Sequence, residues 1–253
     1  MNRIAGFLFI MLCLPLLSTA QAQNQPSLMQ AGLEALNAYT LTNAQVVTYS
    51  RQAVQQMDAK NPVADPNDPY SQRLNRIVSR HHTISGIPIN YKVYNVPDVN
   101  AFATADGSVR VFKGLMDVMS DDELLAIMGH EIGHVINKDS HDAMKSQLKR
   151  SAVRTAAATR SGRLGQQALG AADFLMGAKH SREQETEADD YGYDFLKRNG
   201  YNVMALATSF EKLAKLSGGK GGGRITQIVS THPNSEARAQ RIRDRARRDG
   251  LAH

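Results

Sequence analysis

A single helical segment, residues 120–136, constrains this chain more than any other part of its sequence. Ser120 followed by Glu123 matches a capping box, in which each side chain bonds to a backbone N–H at the helix start, and acidic residues fill the first turn. Apolar residues then recur on most sides of the helix, so the pattern predicts that it is buried. A buried helix can carry ionisable side chains at low cost only if they share a partner.

That helix carries the pattern His-Glu-x-x-His at His130, Glu131 and His134. Because four residues advance a helix by a little over one turn, both imidazoles project from one face and can bind a single ion. Glu131 lies beside that face, where it reaches a water molecule rather than the metal. The alternative is two core histidines with an incidental glutamate, which would bury polar groups without a shared partner. The spacing therefore predicts one zinc ion per chain.

The acidic helix predicted at residues 181–190 is expected to supply the third protein ligand. Glu185 and Asp189 share a face, so Glu185 can bind the ion while Asp189 accepts a hydrogen bond from a ligating histidine. Glu183 and Glu187 are rivals for the ligand role, although Glu187 lies about 200° around the helix from Glu185. Any single acid in this helix is also typical of a solvated helix face.

Several segments resemble the gluzincin metallopeptidases, the family that includes the heat-shock protease HtpX, the CAAX prenyl proteases and the periplasmic proteases BepA and LoiP. These segments are Asn100–Asp117, Met128–His134, Ser181–Asp194 and Thr231–Arg238. The resemblance runs through nearly all of the chain after residue 22 and implies a zinc metalloendopeptidase. It also implies that the third ligand is the glutamate of an E-x-x-x-D motif, here Glu185, with Asp189 as the supporting acid.

The same resemblance implies two further parts of the site. Asn100, Ala101, Phe102 and Ala103 are expected to form an edge strand, along which an extended substrate adds by main-chain hydrogen bonds. His232 belongs to the family's His-Pro element and is expected to be a fourth ligand, a group that blocks the site, or a transition-state donor. From the residues alone His232 is an isolated loop histidine, so an exposed position without a role stays open.

The order of the predicted elements indicates an α+β fold, a mainly helical zincin-type domain with a small early β-sheet. Alternating apolar and polar residues over Ile87–Val96 predict a half-buried strand. The segments Val99–Thr104 and Ser108–Phe112 predict a hairpin that turns at Asp106 and Gly107. Helical patterns dominate the remainder of the chain.

Residues 23–253 are expected to form one metallopeptidase domain with an N-terminal helical extension over about residues 23–65. The apolar pattern from Pro26 to Asp58 indicates two helices, or one helix that breaks near Thr40–Asn43.

Residues 1–22 match a cleavable secretory signal, with a basic start, an apolar run over residues 4–17 and small residues around Ala22. The run is shorter than the ~20 residues that a spanning helix needs, which disfavours an uncleaved anchor. Cys13, the one cysteine, lies inside the run after a leucine, whereas lipid-attachment signals place a small residue there. A periplasmic protein is expected, and any association with the membrane should not depend on a lipidated Cys13.

These features predict an exported zinc metalloendopeptidase that hydrolyses extended or unfolded polypeptides, with misfolded envelope proteins as substrates and envelope assembly machinery as a partner. The alternative is a periplasmic chaperone or assembly factor whose zinc site is blocked by His232. The chain has 30 Lys+Arg against 24 Asp+Glu, and the arginines from Arg238 to Arg248 suggest an anionic surface as a further alternative partner. Because no base-stacking aromatics accompany these arginines, a solvated helix face is favoured and no nucleic-acid partner is expected.

Overall fold

A computed structural model describes residues 28–161, 179–217 and 226–252 of the chain. The helices are α1 Leu28–Thr40, α2 Asn43–Lys60, α3 Pro69–Ile77, α4 Lys113–Val118, α5 Asp121–Ile136, α6 Asp139–Ser161, α7 Arg182–Arg198, α8 Met204–Ser217, α9 Thr226–Thr231 and α10 Ser235–Arg248. The strands are β1 Thr83–Ile84, β2 Ile87–Pro88, β3 Asn90–Tyr94, β4 Ala101–Ala103 and β5 Ser108–Phe112. The predicted α+β class is confirmed, because helices predominate and the strands lie together early in the chain.

The predicted signal segment, residues 1–22, lies outside the described residues. Among the helices that are described, none is both long enough and apolar enough to cross a membrane.

The main sheet has the strand order β3-β5-β4, with β5 in the centre. Strand β3 runs parallel to β5, with Tyr94 opposite Phe112, and β4 runs antiparallel to β5, with Phe102 opposite Arg110. Every residue of β5 is buried, as expected for a central strand covered on both faces. Strand β4 pairs with no other strand of the described chain, so one of its edges is free of strand pairing.

The predicted hairpin is confirmed, and Gly107 occupies its turn with φ 83°. A Cβ at this position would lie 2.2 Å from the carbonyl oxygen of Pro88, so both the backbone conformation and the close approach require glycine. The single strand predicted over Ile87–Val96 is wrong in one respect, because β2 ends at Pro88 and β3 begins at Asn90. Proline lacks the N–H that a continuous ladder needs.

Helix α5 lies at the centre of the core, and all of its residues from Glu123 to Val135 are buried. Its predicted capping box is present. Helix α7 packs closely against it, because a Cβ at Gly133 would lie only 2.9 Å from the carbonyl oxygen of Ala188. Gly192 of α7 makes a similar approach to the backbone of α5. This short separation brings the side chains of α7 within reach of the α5 imidazoles.

The predicted break between the N-terminal helices is confirmed, and Thr42 caps the start of α2. Asp58 holds α2 against the sheet, because its carboxylate accepts hydrogen bonds from Arg110 at 2.8 and 3.0 Å and from Tyr94 at 2.7 Å. Lys92 donates a further hydrogen bond to Asp58 at 2.9 Å. A small apolar cluster formed by α2 and the sheet packs alongside.

Candidate metal centre

The two histidines of α5 face a common point. Nε2 of His130 lies 3.1 Å from Nε2 of His134, and both side chains are buried. On the far side of each ring, Nδ1 of His134 lies 2.7 Å from Asp139 and Nδ1 of His130 lies 3.0 Å from Asp189. A carboxylate accepts only, so Nδ1 of His134 carries the proton and donates it to Asp139. Nδ1 of His130 lies beside Asp189 without hydrogen-bond geometry, and the Arg238 guanidinium lies 3.3 Å from it. The Nε2 atoms of the two rings are directed towards each other, an arrangement that a shared cation stabilises.

Two further side chains complete the donor cluster. Glu185 Oε1 lies 3.6 Å from His134 Nε2, and its Oε2 lies 3.7 Å from His130 Nε2. His232 places Nδ1 2.9 Å from Glu185 Oε1 and 3.2 Å from His130 Nε2. Ligand atoms of all four residues lie within 4.8 Å of one another. Donors bound to one zinc ion in a tetrahedron are about 3.4 Å apart, so the cluster has the size of a metal site.

The acids of α7 divide by burial in the way that such a site requires. Glu185 and Asp189 are buried, whereas Glu183 and Glu187 are exposed. The helix therefore presents to α5 the face that carries Glu185 and Asp189. The two alternative ligand candidates, Glu183 and Glu187, point away from the cluster.

Glu131 lies beside the donor cluster and is buried. Burial raises the pKa of its carboxyl to about 8, and the negative charge of Glu185 contributes to the increase. The backbone N–H of Ala103, at the end of β4, donates a hydrogen bond to Glu131 that acts to lower this pKa. His232 Nε2 lies 3.5 Å from Glu131 Oε1, so the His232 ring stands between the donor cluster and this carboxyl group.

Burial also sets the charge state of the imidazoles. It lowers the pKa of His130 well below its ordinary value, and it lowers the pKa of His134 and of His232 to about 3 in each case. All three rings are therefore neutral at physiological pH, which is the form that binds metal ions. Burial raises the pKa of the Glu185 carboxyl, as expected for an acid whose negative charge needs a nearby cation.

Arg238 is one residue of the site that the sequence interpretation missed. Its guanidinium donates to Asp189 at 2.6 and 3.0 Å, lies 2.5 Å from Glu185 Oε2 and stacks 4.1 Å above the ring of Phe210. The contact with Glu185 lacks hydrogen-bond geometry, so Oε2 has no hydrogen-bond partner. The solvated face expected for the α10 arginines is wrong for Arg238, because this position continues the buried stripe that includes Ile242.

His180 is a second residue that the sequence did not single out. Its ring stacks on His134 with 3.8 Å between centroids, and burial lowers the pKa of His180 to about 3. Together with Asp139 and His134 it forms a second group of potential metal donors. No local pattern in the sequence marks His180, because its partners come from α5 and the start of α6.

A cleft of about 370 Å³ borders the cluster, and its lining includes Glu185, Arg238, Pro233 and Asn234. Asn234 adopts a left-handed conformation with φ 65°, and α10 begins at the next residue. The turn that it forms carries His232 back over the donor cluster.

The fold and the donor cluster together define a class: metallopeptidases built on a buried His-Glu-x-x-His helix. The sequence profile of peptidase family M48 matches residues 69–246, and the chain belongs to that family. It is 44% identical to the metalloprotease LoiP of Escherichia coli K12 over 98% of this chain and 99% of that protein. It is 42% identical to the metalloprotease YcaL of the same organism over 86% of each.

The chain is also 30% identical to the β-barrel assembly-enhancing protease of Escherichia coli K12, over 82% of this chain and 45% of that protein. The protein is therefore a metalloprotease.

Proposed function

We propose that this protein is an exported zinc-dependent metalloendopeptidase that hydrolyses peptide bonds in unfolded or misfolded envelope proteins. One observation carries the proposal: donor atoms of His130, His134 and Glu185 converge on one point, with the Glu131 carboxyl beside it. Two neutral imidazoles and one carboxylate suit zinc, and catalytic zinc sites commonly use three protein ligands.

The residues around the ligands fit this assignment. Asp139 accepts the Nδ1 proton of His134 and so directs its Nε2 lone pair at the ion. We assign the same role to Asp189, whose carboxylate lies 3.0 Å from Nδ1 of His130. Arg238 holds Asp189 in place by a bidentate ion pair. Its positive charge also offsets the negative charge that Glu185 and Asp189 bring into a buried site.

Glu131 is the proposed general base. When bound, zinc would polarise the scissile carbonyl and lower the pKa of the attacking water towards ~7. Glu131 accepts a proton from that water and transfers it to the leaving amine nitrogen. The pKa of about 8 that burial produces lets the carboxyl hold this proton, and a nearby divalent cation lowers it enough for the carboxylate to act as a base.

The free edge of β4 is the proposed place for the substrate backbone. Ala101, Phe102 and Ala103 pair with β5 on one side only, and the N–H of Ala103 lies at Glu131. An extended chain that adds to this edge gains main-chain hydrogen bonds with little demand on its sequence. Most backbone N–H and C=O groups of folded proteins are already hydrogen-bonded, so the geometry favours unfolded polypeptides.

The experiment that tests the proposal compares Glu131→Gln with Glu183→Gln, a matched control at an exposed acid of α7. We expect Glu131→Gln to slow cleavage of unfolded casein by roughly 10²–10⁴-fold while the bound zinc is unchanged. Glu183→Gln should cleave at the wild-type rate. If Glu131→Gln cleaved casein at the wild-type rate, Glu131 would not be the general base.

A second candidate function is a chaperone or assembly factor whose metal site is blocked. It is favoured by the position of His232, whose Nδ1 lies among the other donors and would fill the position that a substrate needs. We expect His232→Ala to cleave casein faster than wild type if the ring blocks the site. If the ring instead donates to the transition state, His232→Ala should cleave more slowly.

Export to the periplasm follows from the signal predicted at residues 1–22 and is part of the same proposal. We expect the protein to appear in the periplasmic fraction in a form shortened near Ala22. Recovery of the full-length chain from the cytosol would contradict it. An interaction with envelope assembly machinery is proposed on the likeness to the β-barrel assembly-enhancing protease.

A further inference from the structure

A second cavity of about 350 Å³ lies beside α2 and is here called the α2 pocket. Its walls come from α2, the β1–β2 hairpin, the β4–β5 turn, the end of α5 and the start of α6. The lining residues are Asn43, Val46, Val47, Ser85, Ile87, Ala105, Val135, Ile136, Lys138, Ser140 and His141. Most of the wall is therefore aliphatic.

Two structural measures place the α2 pocket next to the proposed scissile bond. Val135 follows Glu131 by four residues on α5, so the two share a face with their Cβ atoms roughly 5–6 Å apart. Ala105 follows Ala103 by two residues, at the turn of the β4–β5 hairpin, so the two Cα atoms are at most roughly 7 Å apart. Because the N–H of Ala103 lies at Glu131, both distances, one along α5 and one along the hairpin, are counted from the Glu131 carboxyl group.

The chemistry of the pocket selects one class of side chain. No acid is among its lining residues, and Lys138 is exposed. A cationic side chain would meet repulsion at Lys138, and a carboxylate would lose its hydration against the valine and isoleucine walls. A leucine, methionine or phenylalanine side chain would instead gain from burial of its apolar surface.

We propose that the α2 pocket is a specificity pocket that binds a large apolar side chain of the substrate, about two residues from the cleaved bond. The inference rests on the proposed peptidase function and on β4 as the substrate edge. Residues two apart in an extended chain point to the same side, so a peptide along β4 directs every second side chain towards α5. Substrates are then unfolded segments that expose apolar residues, which folded proteins bury.

The pocket depends on a part of the chain outside the matched family region. Asn43, Val46 and Val47 belong to α2, whereas the family profile begins at residue 69. The N-terminal helices thus have a role in recognition as well as in packing, and α2 is held in position by the bonds of Asp58 to the sheet.

The test measures cleavage of a peptide library by the zinc-loaded full-length protein, with cut sites mapped by mass spectrometry. We expect one position, about two residues from the cut, to favour leucine or phenylalanine over aspartate or lysine by roughly 10- to 100-fold in kcat/KM. Cleavage with no such position would overturn the proposal.

The matched variants are Val47→Asp, which puts a carboxylate into the pocket, and Tyr49→Asp, which makes the same change on an exposed face of α2. Val47→Asp should lose the apolar preference at that position alone and keep its zinc. Tyr49→Asp should keep the wild-type preference. Ala105→Leu, which fills the pocket without a charge, should shift the preference to smaller apolar side chains. Unchanged specificity in Val47→Asp and Ala105→Leu would overturn the proposal.

A binding measurement separates this inference from the proposed function. The Glu131→Gln protein should bind an apolar peptide more tightly than its aspartate-substituted counterpart, and Val47→Asp in the same background should abolish the difference. If the wild type cuts no peptide but this difference is present, the peptidase proposal fails and the pocket assignment stands. If peptides are cut but the difference is absent, the pocket assignment fails alone.

Discussion

Replacement of Asp58 by asparagine should lower the stability of the protein by an amount that follows from the contacts of its carboxylate. Burial raises the pKa of Asp58, but hydrogen bonds from Arg110, Lys92 and Tyr94 outweigh it and lower the pKa to about 2 from 3.8. A difference of this size corresponds to about 2 kcal/mol of folding free energy. Arg110 is 2% exposed and would be left without its carboxylate partner, which can raise the loss to roughly 3–5 kcal/mol.

The sign of the pH dependence follows from the direction of the shift. Because the folded-state pKa of Asp58 is below its unfolded value, its contribution is fully present above about pH 4. It is lost as the pH falls from about 4 to about 2. Wild type should therefore be more stable than Asp58→Asn at pH 7, and the part of the difference that comes from ionisation should disappear near pH 2.

Urea unfolding at a series of pH values measures this difference. Comparison of the two proteins at each pH cancels the contributions of the other titrating groups, provided that they act independently of Asp58. Glu187→Gln, at an exposed acid of α7, serves as the control and should stay within about 0.5 kcal/mol of wild type. A difference between Asp58→Asn and wild type that is the same at pH 7 and pH 2 would show that the ionised carboxylate does not hold α2 on the sheet.

Three further outcomes are expected. Gly133→Ala should lower the free energy of unfolding by about 1–3 kcal/mol and weaken zinc binding, because the added Cβ meets the α7 backbone. Gly32→Ala, with open space around it, should not destabilise the protein, and equal melting temperatures for the two variants would contradict this. Glu185→Ala should lose most of its zinc in a stoichiometry measurement, and full occupancy would exclude Glu185 as a ligand. Removal of zinc by a chelator should lower the melting temperature, with recovery on adding zinc back; an unchanged transition would place the metal outside the folded core.

Much of the site follows from spacing along the chain. The His-Glu-x-x-His pattern directs two imidazoles to one face of α5, and the capping box sets where that helix begins. The four-residue spacing of Glu185 and Asp189 likewise puts both acids on one face of α7, and both are buried there. Such features are local, because the geometry of a helix turn converts sequence separation directly into direction in space.

The partners of these residues were decided only by the tertiary structure. Asp139 receives the Nδ1 proton of His134, and Arg238 pairs with Asp189 across a separation of 49 residues. The ring of His180 stacks on that of His134, and Asp58 meets Arg110 on the sheet. Apart from the bond between His134 and Asp139, these contacts join elements that are remote in the chain, and Gly133 and Gly192 let α7 approach α5 closely enough to bring its acids to the histidines.

His232 shows most directly what the sequence alone could not predict. The residues around it left its role open, yet the turn at Asn234 carries its ring to 2.9 Å from Glu185 Oε1. The sequence by itself determined the metal-site helix, the hairpin and the shared face of Glu185 and Asp189. Only the packing of those faces decided which groups share a buried space, because burial and charge pairing arise between elements that are remote in the chain.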